Sequence, residues 1–221
     1  VSETCQGPVT NYSLALLDPS LLSPLAEGYG ENIPGGCYGD ELEFLRESVR
    51  QTNAYSDSIT NAIDTGTNTV TYPDENNLAQ QLKTVANLIS GGLGTKVYVV
   101  SIGGFDTHAA QVEPEDPSTG IHAELLRTLS EAVQAFQLDL TTQQLDERVL
   151  GMTFSEFGRQ IKSNYSDGTD HGTAAPMFLF GPCVEPMITG QNVEIPDELD
   201  PQEGVAMQYD FRSVYGSVLM D

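Results

Sequence analysis

The sequence predicts an α/β fold with a mostly parallel sheet flanked by helices. Three observations predict it. Lys96 to Ile102 (KVYVVSI) is a nearly continuous apolar run, the pattern of a strand buried on both faces. It follows an amphipathic stretch closed by Gly91-Gly92, and it ends in a polar segment, GGFDTH, so helix, glycine pair, strand and polar site follow in α/β order. Two further apolar runs, Val149–Phe154 and Met177–Phe180, bracket a polar stretch carrying carboxylates, an arginine and a histidine, and open α/β sheets place ligands at such strand ends.

The elements follow in order. Residues 1–39 mix Pro, Gly, Tyr and Leu without periodicity and read as an irregular lead-in with short helical turns. Asp40-Glu41-Leu42-Glu43 has the form of a capping box, with Asp40 as N-cap. The helix it opens runs to about Ile63, with Leu42, Leu45 and Val49 on one face. Residues 65–73 are Thr-, Asn- and Gly-rich and read as a surface loop. Leu78, Leu82, Val85 and Ile89 form the stripe of a helix from Asn77 to Ser90. After the Lys96–Ile102 strand, residues 109–120 form an acidic loop. A long helix spans His122 to about Leu140, with Leu125, Leu129, Ala132, Val133 and Phe136 inward. Residues 182–209 are again Pro-, Gly- and acid-rich loop, and Asp210 to Met220 is helical.

Composition bounds the function. The 221 residues suffice for one domain with a sizeable core. A net charge of −23 argues against a nucleic-acid partner, which needs clustered Lys and Arg. No apolar run reaches ~18 residues, so no transmembrane segment is expected. The charge repels anions, so chemistry on a phosphate or sulfate requires a metal cation or a local arginine. Of three cysteines, none has CxxC spacing, which speaks against structural zinc. Cys5 and Cys37 share a loop-like region and are candidates for a pair, and Cys183 reads as a small buried residue. Val1 is not a start residue and Asp221 falls inside a helical pattern, so the chain reads as an internal piece of a longer protein.

All three histidines, His108, His122 and His171, lie in or beside the polar motifs. Asp106-x-His108 past a strand end can aim a carboxylate and an imidazole at one ion, a donor set suited to zinc, manganese or iron more than to calcium. Asp170-His171, in a glycine-flanked loop, can do the same, or supply one ligand and one group behind it. A plain structural account stands beside these: Asp106 capping a turn and His108 a satisfied polar residue. Glu156 reads as ligand, general base or metal-organising group, and equally as a helix N-terminal glutamate favoured by the macrodipole. Arg159 reads as a bidentate anion binder or as the ion-pair partner of Glu156 or Asp170. His122 either reaches the site or simply opens its helix. No G-x-S-x-G elbow, Walker A loop, dinucleotide fingerprint or EF-hand spacing occurs. Asn11-Tyr12-Ser13 and Asn164-Tyr165-Ser166 match the N-glycosylation acceptor pattern.

GGFDTH, the HAELL helix start, SEFGR, GTDHGTAAPMFLFG and YDFRSVYGSVLMD together resemble a bacterial family known as domain of unknown function 1501, from about Tyr72 to the end. The resemblance implies membership of the alkaline phosphatase and sulfatase superfamily. That implies a three-layer sandwich, with residues 1–221 as the C-terminal part of a single domain. It also implies export to the periplasm or outside the cell, with a twin-arginine signal, and a site in which Asp and His hold divalent metal ions, zinc or manganese foremost, with calcium or magnesium as alternatives. Asp106-Thr107-His108 is similar to the superfamily's Asp-x-x-x-His pair with a shorter gap, and Asp170-His171 to its Asp-His pair. In a second register Glu156 is the ligand and His171 matches a later, isolated histidine. The superfamily's first metal Asp and its nucleophile have no counterpart in residues 1–96, so either the other half of the site comes from a missing N-terminal part of the same protein or from an assembly partner, or this protein has lost it.

Two functions follow as expectations. The first is an exported, metal-dependent hydrolase acting on a small anionic phosphate or sulfate ester. Its metal ligands are Asp106, His108, Asp170 and His171, with His122 as a further candidate; Glu156 is ligand or base and Arg159 binds the anion. The second is a non-catalytic surface or assembly protein that retains the scaffold. A third, a calcium-dependent adhesion module, predicts oxygen-only coordination at Glu113, Glu115 and Asp116.

Overall fold

The structure is a computed structural model that describes residues 33–173, 175–195, 197–198, 200 and 204–220. The chain divides into two compact units, one comprising residues up to Asn68 with Thr84–Tyr98, the other Thr69–Lys83 with Val99 onward. The elements in order are α1 (Cys37–Thr65), α2 (Asn77–Ser90), α3 (Ile121–Thr142), a 3-10 turn (Asp146–Arg148), β1 (Gly151–Met152), β2 (Gly158–Arg159), β3 (His171–Gly172), β4 (Leu179–Phe180) and α4 (Phe211–Met220).

In the first unit Ile59, Ala62 and Leu88 are buried against one another, with Tyr55, Ile63, Leu93 and Tyr98 packed around them. The apolar face of α1 therefore lies in its second half. Leu45, expected inward, is 58% exposed. The expected capping box is also displaced. Helix α1 begins four residues earlier, after Gly36, with no side-chain cap, and Asp40 sits in its first turn, where a carboxylate favours the macrodipole. Cys37 is free and exposed, and Cys5 lies outside the described residues. Cys183, expected buried, is free and exposed on a short turn in which Val184 N–H donates to the Gly181 carbonyl.

In the second unit α2 starts where Asn76 caps it. The Asn76 Oδ1 accepts from Ala79 N–H at 3.0 Å, and its Nδ2 donates to the Thr128 carbonyl of α3 at 2.7 Å. Leu78, Ala79 and Leu82 of α2 are buried, as are Ala132, Ala135, Phe136 and Leu140 of α3. Among them sits Asp139, fully buried. Its Oδ1 accepts from Thr69 N–H and Oγ1–H, each at 2.8 Å, and from Gln143 Nε2 at 2.9 Å, while Oδ2 accepts from Tyr72 Oη at 2.9 Å. Burial, followed by the Asp139 bond and charge, pushes the Tyr72 hydroxyl pKa strongly up, so Tyr72 stays a donor. At the other end Asp210 opens α4, accepting from the Arg212 N–H, and the Arg212 guanidinium holds its carboxyl at about 2.

The expected parallel sheet is not formed. The described strands make two two-stranded antiparallel ladders. β1 pairs with β4 in the register Gly151 to Phe180 and Met152 to Leu179; β2 pairs with β3 in the register Gly158 to Gly172 and Arg159 to His171. Val149–Phe154 and Met177–Phe180 are thus neighbours of opposite direction, extended by Thr153 N–H donating to the Phe178 carbonyl at 2.9 Å. Lys96–Ile102 has no strand partner among the described residues. Val97 and Val99 are 62% and 69% exposed, so the run is not buried on both faces. A side chain serves it instead: Gln81 Nε2 donates to the Ser101 carbonyl at 2.8 Å, and Ser101 N–H donates to Gln81 Oε1 at 3.0 Å. The physical reason is that a β-branched run favours an extended backbone, whereas direction and partner come from segments distant in sequence. The three-layer sandwich is corrected with it.

The buried carboxylate yields a test. Asp139→Ala leaves the Thr69 amide and the Tyr72 hydroxyl without their acceptor, which should lower stability by about 3 kcal/mol. A urea unfolding midpoint equal to that of the unchanged protein would contradict this role.

Candidate metal centre

Two segments of the second unit meet at the site: Gly103–Gln111, after the Lys96–Ile102 run, and the hairpin Ser155–Gly172. The hairpin is closed by the β2–β3 pair, by Gln160 N–H donating to the Asp170 carbonyl at 3.0 Å and by Asn164 N–H donating to the Gly168 carbonyl at 2.9 Å. The segments are joined by Ala110 N–H to the Ser166 carbonyl and Gln111 N–H to the Asp167 carbonyl, both 2.8 Å, and by Thr169 N–H to the Thr107 carbonyl at 3.2 Å. The Gln111 Oε1 accepts from the hydroxyls of both Thr107 and Thr169 at 2.8 Å. Glycine at 168 is required by the closeness of this seam: a Cβ there would lie 2.3 Å from the His108 carbonyl carbon. At Gly172 a Cβ would lie 2.3 Å from the Arg159 carbonyl carbon.

The seam brings Asp106, His108 and His171 together. Their ligand atoms lie within 4.8 Å of one another, and all three residues are exposed. The Asp106 Oδ1 is 2.8 Å from His171 Nε2, 3.0 Å from His108 Nε2 and 3.0 Å from Arg159 Nη2. His108 turns its other nitrogen, Nδ1, to Asp170 Oδ1 at 3.1 Å. Phe157 stacks on His171, with ring centroids 3.9 Å apart and planes 13° from parallel. Arg159 lies over the other part of this stack, its guanidinium carbon 4.9 Å from the Phe157 centroid.

The remaining expected residues are placed as follows. Asp170 stands behind His108 rather than within the three-residue group. Arg159 is the ion-pair partner of Asp106, neither of Glu156 nor of Asp170. It also donates through Nη1 to the Thr169 carbonyl at 2.6 Å and through Nη2 to the Phe105 carbonyl. Its two terminal nitrogens are thus committed to holding the loops. Glu156 is exposed and no hydrogen bond or ion pair of the group runs to it. His122 is apart from the group: its ring meets Phe105 edge-on at 6.0 Å, and its buried Nδ1 has no hydrogen-bond partner among the described residues. Glu113, Glu115 and Asp116 do not converge; Asp116 is engaged by the Ser118 amide and hydroxyl, and among the described residues only Asp106, His108 and His171 form such a group. Phe157, Asn164 and Gln111 were not legible as site residues. Phe157 lies inside SEFGR, and Asn164 was visible only as a glycosylation pattern.

Electrostatics favour the ionised carboxylates. The hydrogen bond from His171 holds the Asp106 carboxyl below its ordinary 3.8, helped by the Arg159 bond and the nearby histidine charges. The Asn164 amide, then His108, does the same for Asp170. Two imidazole nitrogens and a carboxylate are a donor set chemically suited to zinc or manganese.

The family model described as "Protein of unknown function (DUF1501)" matches residues 48–206. The chain belongs to this family. No curated protein and no solved structure matches it. The matched range contains the whole Asp106–His108–His171 group together with Arg159, Asn164 and Asp170.

Two outcomes check this geometry. Gly168→Ala forces the seam apart and should cost about 1–3 kcal/mol, as overpacking does, read as a lowered urea midpoint. For pH, a carboxyl whose folded pKa is depressed contributes stability above its unfolded value and loses it as pH falls through the folded value. The urea midpoint should therefore fall as pH drops from about 5 to about 2.5, and fall less steeply in Asp106→Asn. Parallel slopes would contradict the ion pairing at Asp106.

Proposed function

We propose that this DUF1501 protein binds a divalent transition-metal ion, zinc or manganese, through Asp106, His108 and His171, and uses it to hydrolyse small phosphate or sulfate esters. The observation that carries the reading is the convergence of two imidazoles and one carboxylate from two distant segments. Bound there, the metal supplies Lewis-acid polarisation of an ester oxygen and a water of lowered pKa. Asp106, His108 and His171 hold it. Asp170 orients His108 from behind, Phe157 holds the plane of the His171 ring, and Arg159 keeps Asp106 ionised and the Phe105–Asp106 turn in place. The exposure of the group admits a small substrate without a channel. The cation also offsets locally the repulsion that a net charge of −23 exerts on anions. The family likeness and the acidity support a place outside the cytoplasm.

One observation favours a second reading, a metal centre with a structural role. The hydroxyls beside the motifs are engaged: Thr107 and Thr169 with Gln111, and Ser155 with the Phe157 carbonyl at 2.6 Å. Water is thus the attacking group the site favours if it is hydrolytic.

Metal analysis of the full-length protein should find bound zinc or manganese. Asp106→Ala and His171→Ala should each lower its affinity on the order of 100-fold or more. Undiminished metal in both variants would refute the ligand assignment. p-Nitrophenyl phosphate and sulfate should turn over in a chelator-sensitive way. Bound metal with no such turnover on a broad ester panel would select the structural role.

A further inference from the structure

We infer that Asn164 is the positioning residue of the metal centre, orienting His108 through Asp170; the inference rests on the metal-binding reading. Its side chain uses its full hydrogen-bonding capacity. Nδ2 donates one hydrogen to the His108 carbonyl at 2.8 Å and the other to Asp170 Oδ1 at 2.9 Å. Oδ1 accepts from Ser166 N–H at 2.9 Å and Gly168 N–H at 3.2 Å. An amide has two donors and one carbonyl acceptor, and all are spent. The partners also determine which end is which: a flipped amide would set donors against two N–H groups and an acceptor against a carbonyl and a carboxylate.

Asn164 therefore acts at both segments of the site. Its acceptor side shapes the Ser166–Gly168 turn, which brings Gly168 against the His108 backbone. Its donor side grips that backbone directly. The same donor side fixes the Asp170 oxygen that faces His108 Nδ1, and this leaves His108 Nε2 pointing at Asp106 and the metal position. Carboxylate behind histidine is the arrangement that sets the tautomer and ring orientation of metal-binding histidines. Here the carboxylate is itself held by an amide.

A second consequence concerns Asn164-Tyr165-Ser166. A glycan on Nδ2 replaces one of the two hydrogens, so either the His108 or the Asp170 bond is lost. An occupied Asn164 is thus incompatible with the fully bonded centre.

The test separates the two sides of the amide. Asn164→Asp keeps an oxygen for the Ser166 and Gly168 amides but cannot donate to Asp170 or to the His108 carbonyl. Asn164→Ala removes both sides. Ser166→Ala abolishes the glycosylation pattern and leaves the amide untouched. Zinc titration of the full-length protein should show Asn164→Asp weakened about 10- to 100-fold with unchanged stoichiometry, and Ser166→Ala unchanged. In metal-free protein, the ring nitrogen-15 signals of His108 should shift in both Asn164 variants and stay in place in Ser166→Ala. Wild-type zinc affinity in Asn164→Asp, or unmoved His108 signals in that variant, would overturn the inference. If the unchanged protein binds no zinc or manganese, the metal-binding reading falls, and the positioning of His108 is then judged on the nitrogen-15 shifts alone.

Discussion

A single oxygen, Asp106 Oδ1, is where the site comes together. Two imidazole nitrogens and a guanidinium nitrogen lie within 3.0 Å of it. A solvent-exposed pair of opposite charges contributes little by itself. Here the value lies in geometry. The three partners come from positions 108, 159 and 171, and no local rule of chain conformation brings them together. Each is held from a second side as well: His108 by Asp170, His171 by the Phe157 ring, and Arg159 by the Thr169 and Phe105 carbonyls. The carboxylate is the common point, and the loops are built to deliver its partners.

That delivery depends on close backbone approach. Gly168 lies against the His108 carbonyl and Gly172 against Arg159, at distances no side chain tolerates. Gly168 is therefore explained by the neighbouring segment and Gly172 by its strand partner within the hairpin. Gln111 adds a polar rivet, accepting from Thr107 and Thr169 across the seam. Farther away, Asp139 serves a different purpose with the same chemistry. It is a buried carboxylate whose donors tie the Thr69–Tyr72 segment to α3, and a buried acceptor so fully satisfied makes a specific junction rather than a liability.

The pattern of agreement between sequence and structure has a physical cause. Helix α2 was legible to its ends because an amphipathic stripe and a glycine pair after it are local signals. The start of α3 was read one residue late and its end two residues early, and its inward face was largely right. Few histidines gave weight to all three of them, together with Asp106 and Asp170, yet only Asp106, His108 and His171 gather, while Asp170 stands behind His108 and His122 lies apart. The direction of the strands was not. Val149–Phe154 and Met177–Phe180 read as strands from composition, yet their antiparallel pairing is a property of two segments together. The same holds for Arg159: its charge suggested an anion, and only the approach of Asp106 assigns its partner. Cys183 was misread because a cysteine's type says less about burial than the turn on which it stands.

The sequence by itself determined roughly where the helices run, which stretches are extended, the family, and which polar motifs carry residue types suited to a metal. These are matters of local periodicity, residue chemistry and motif. Only the tertiary structure decided that Val149–Phe154 and Met177–Phe180 pair in a short antiparallel ladder while Lys96–Ile102 has no strand partner among the described residues, that Arg159 and Asn164 hold the site together, and that Asp170 stands behind His108 while Glu156 and His122 remain apart. Each of those outcomes depends on groups tens of residues distant along the chain meeting within hydrogen-bond reach, and no local pattern encodes that meeting.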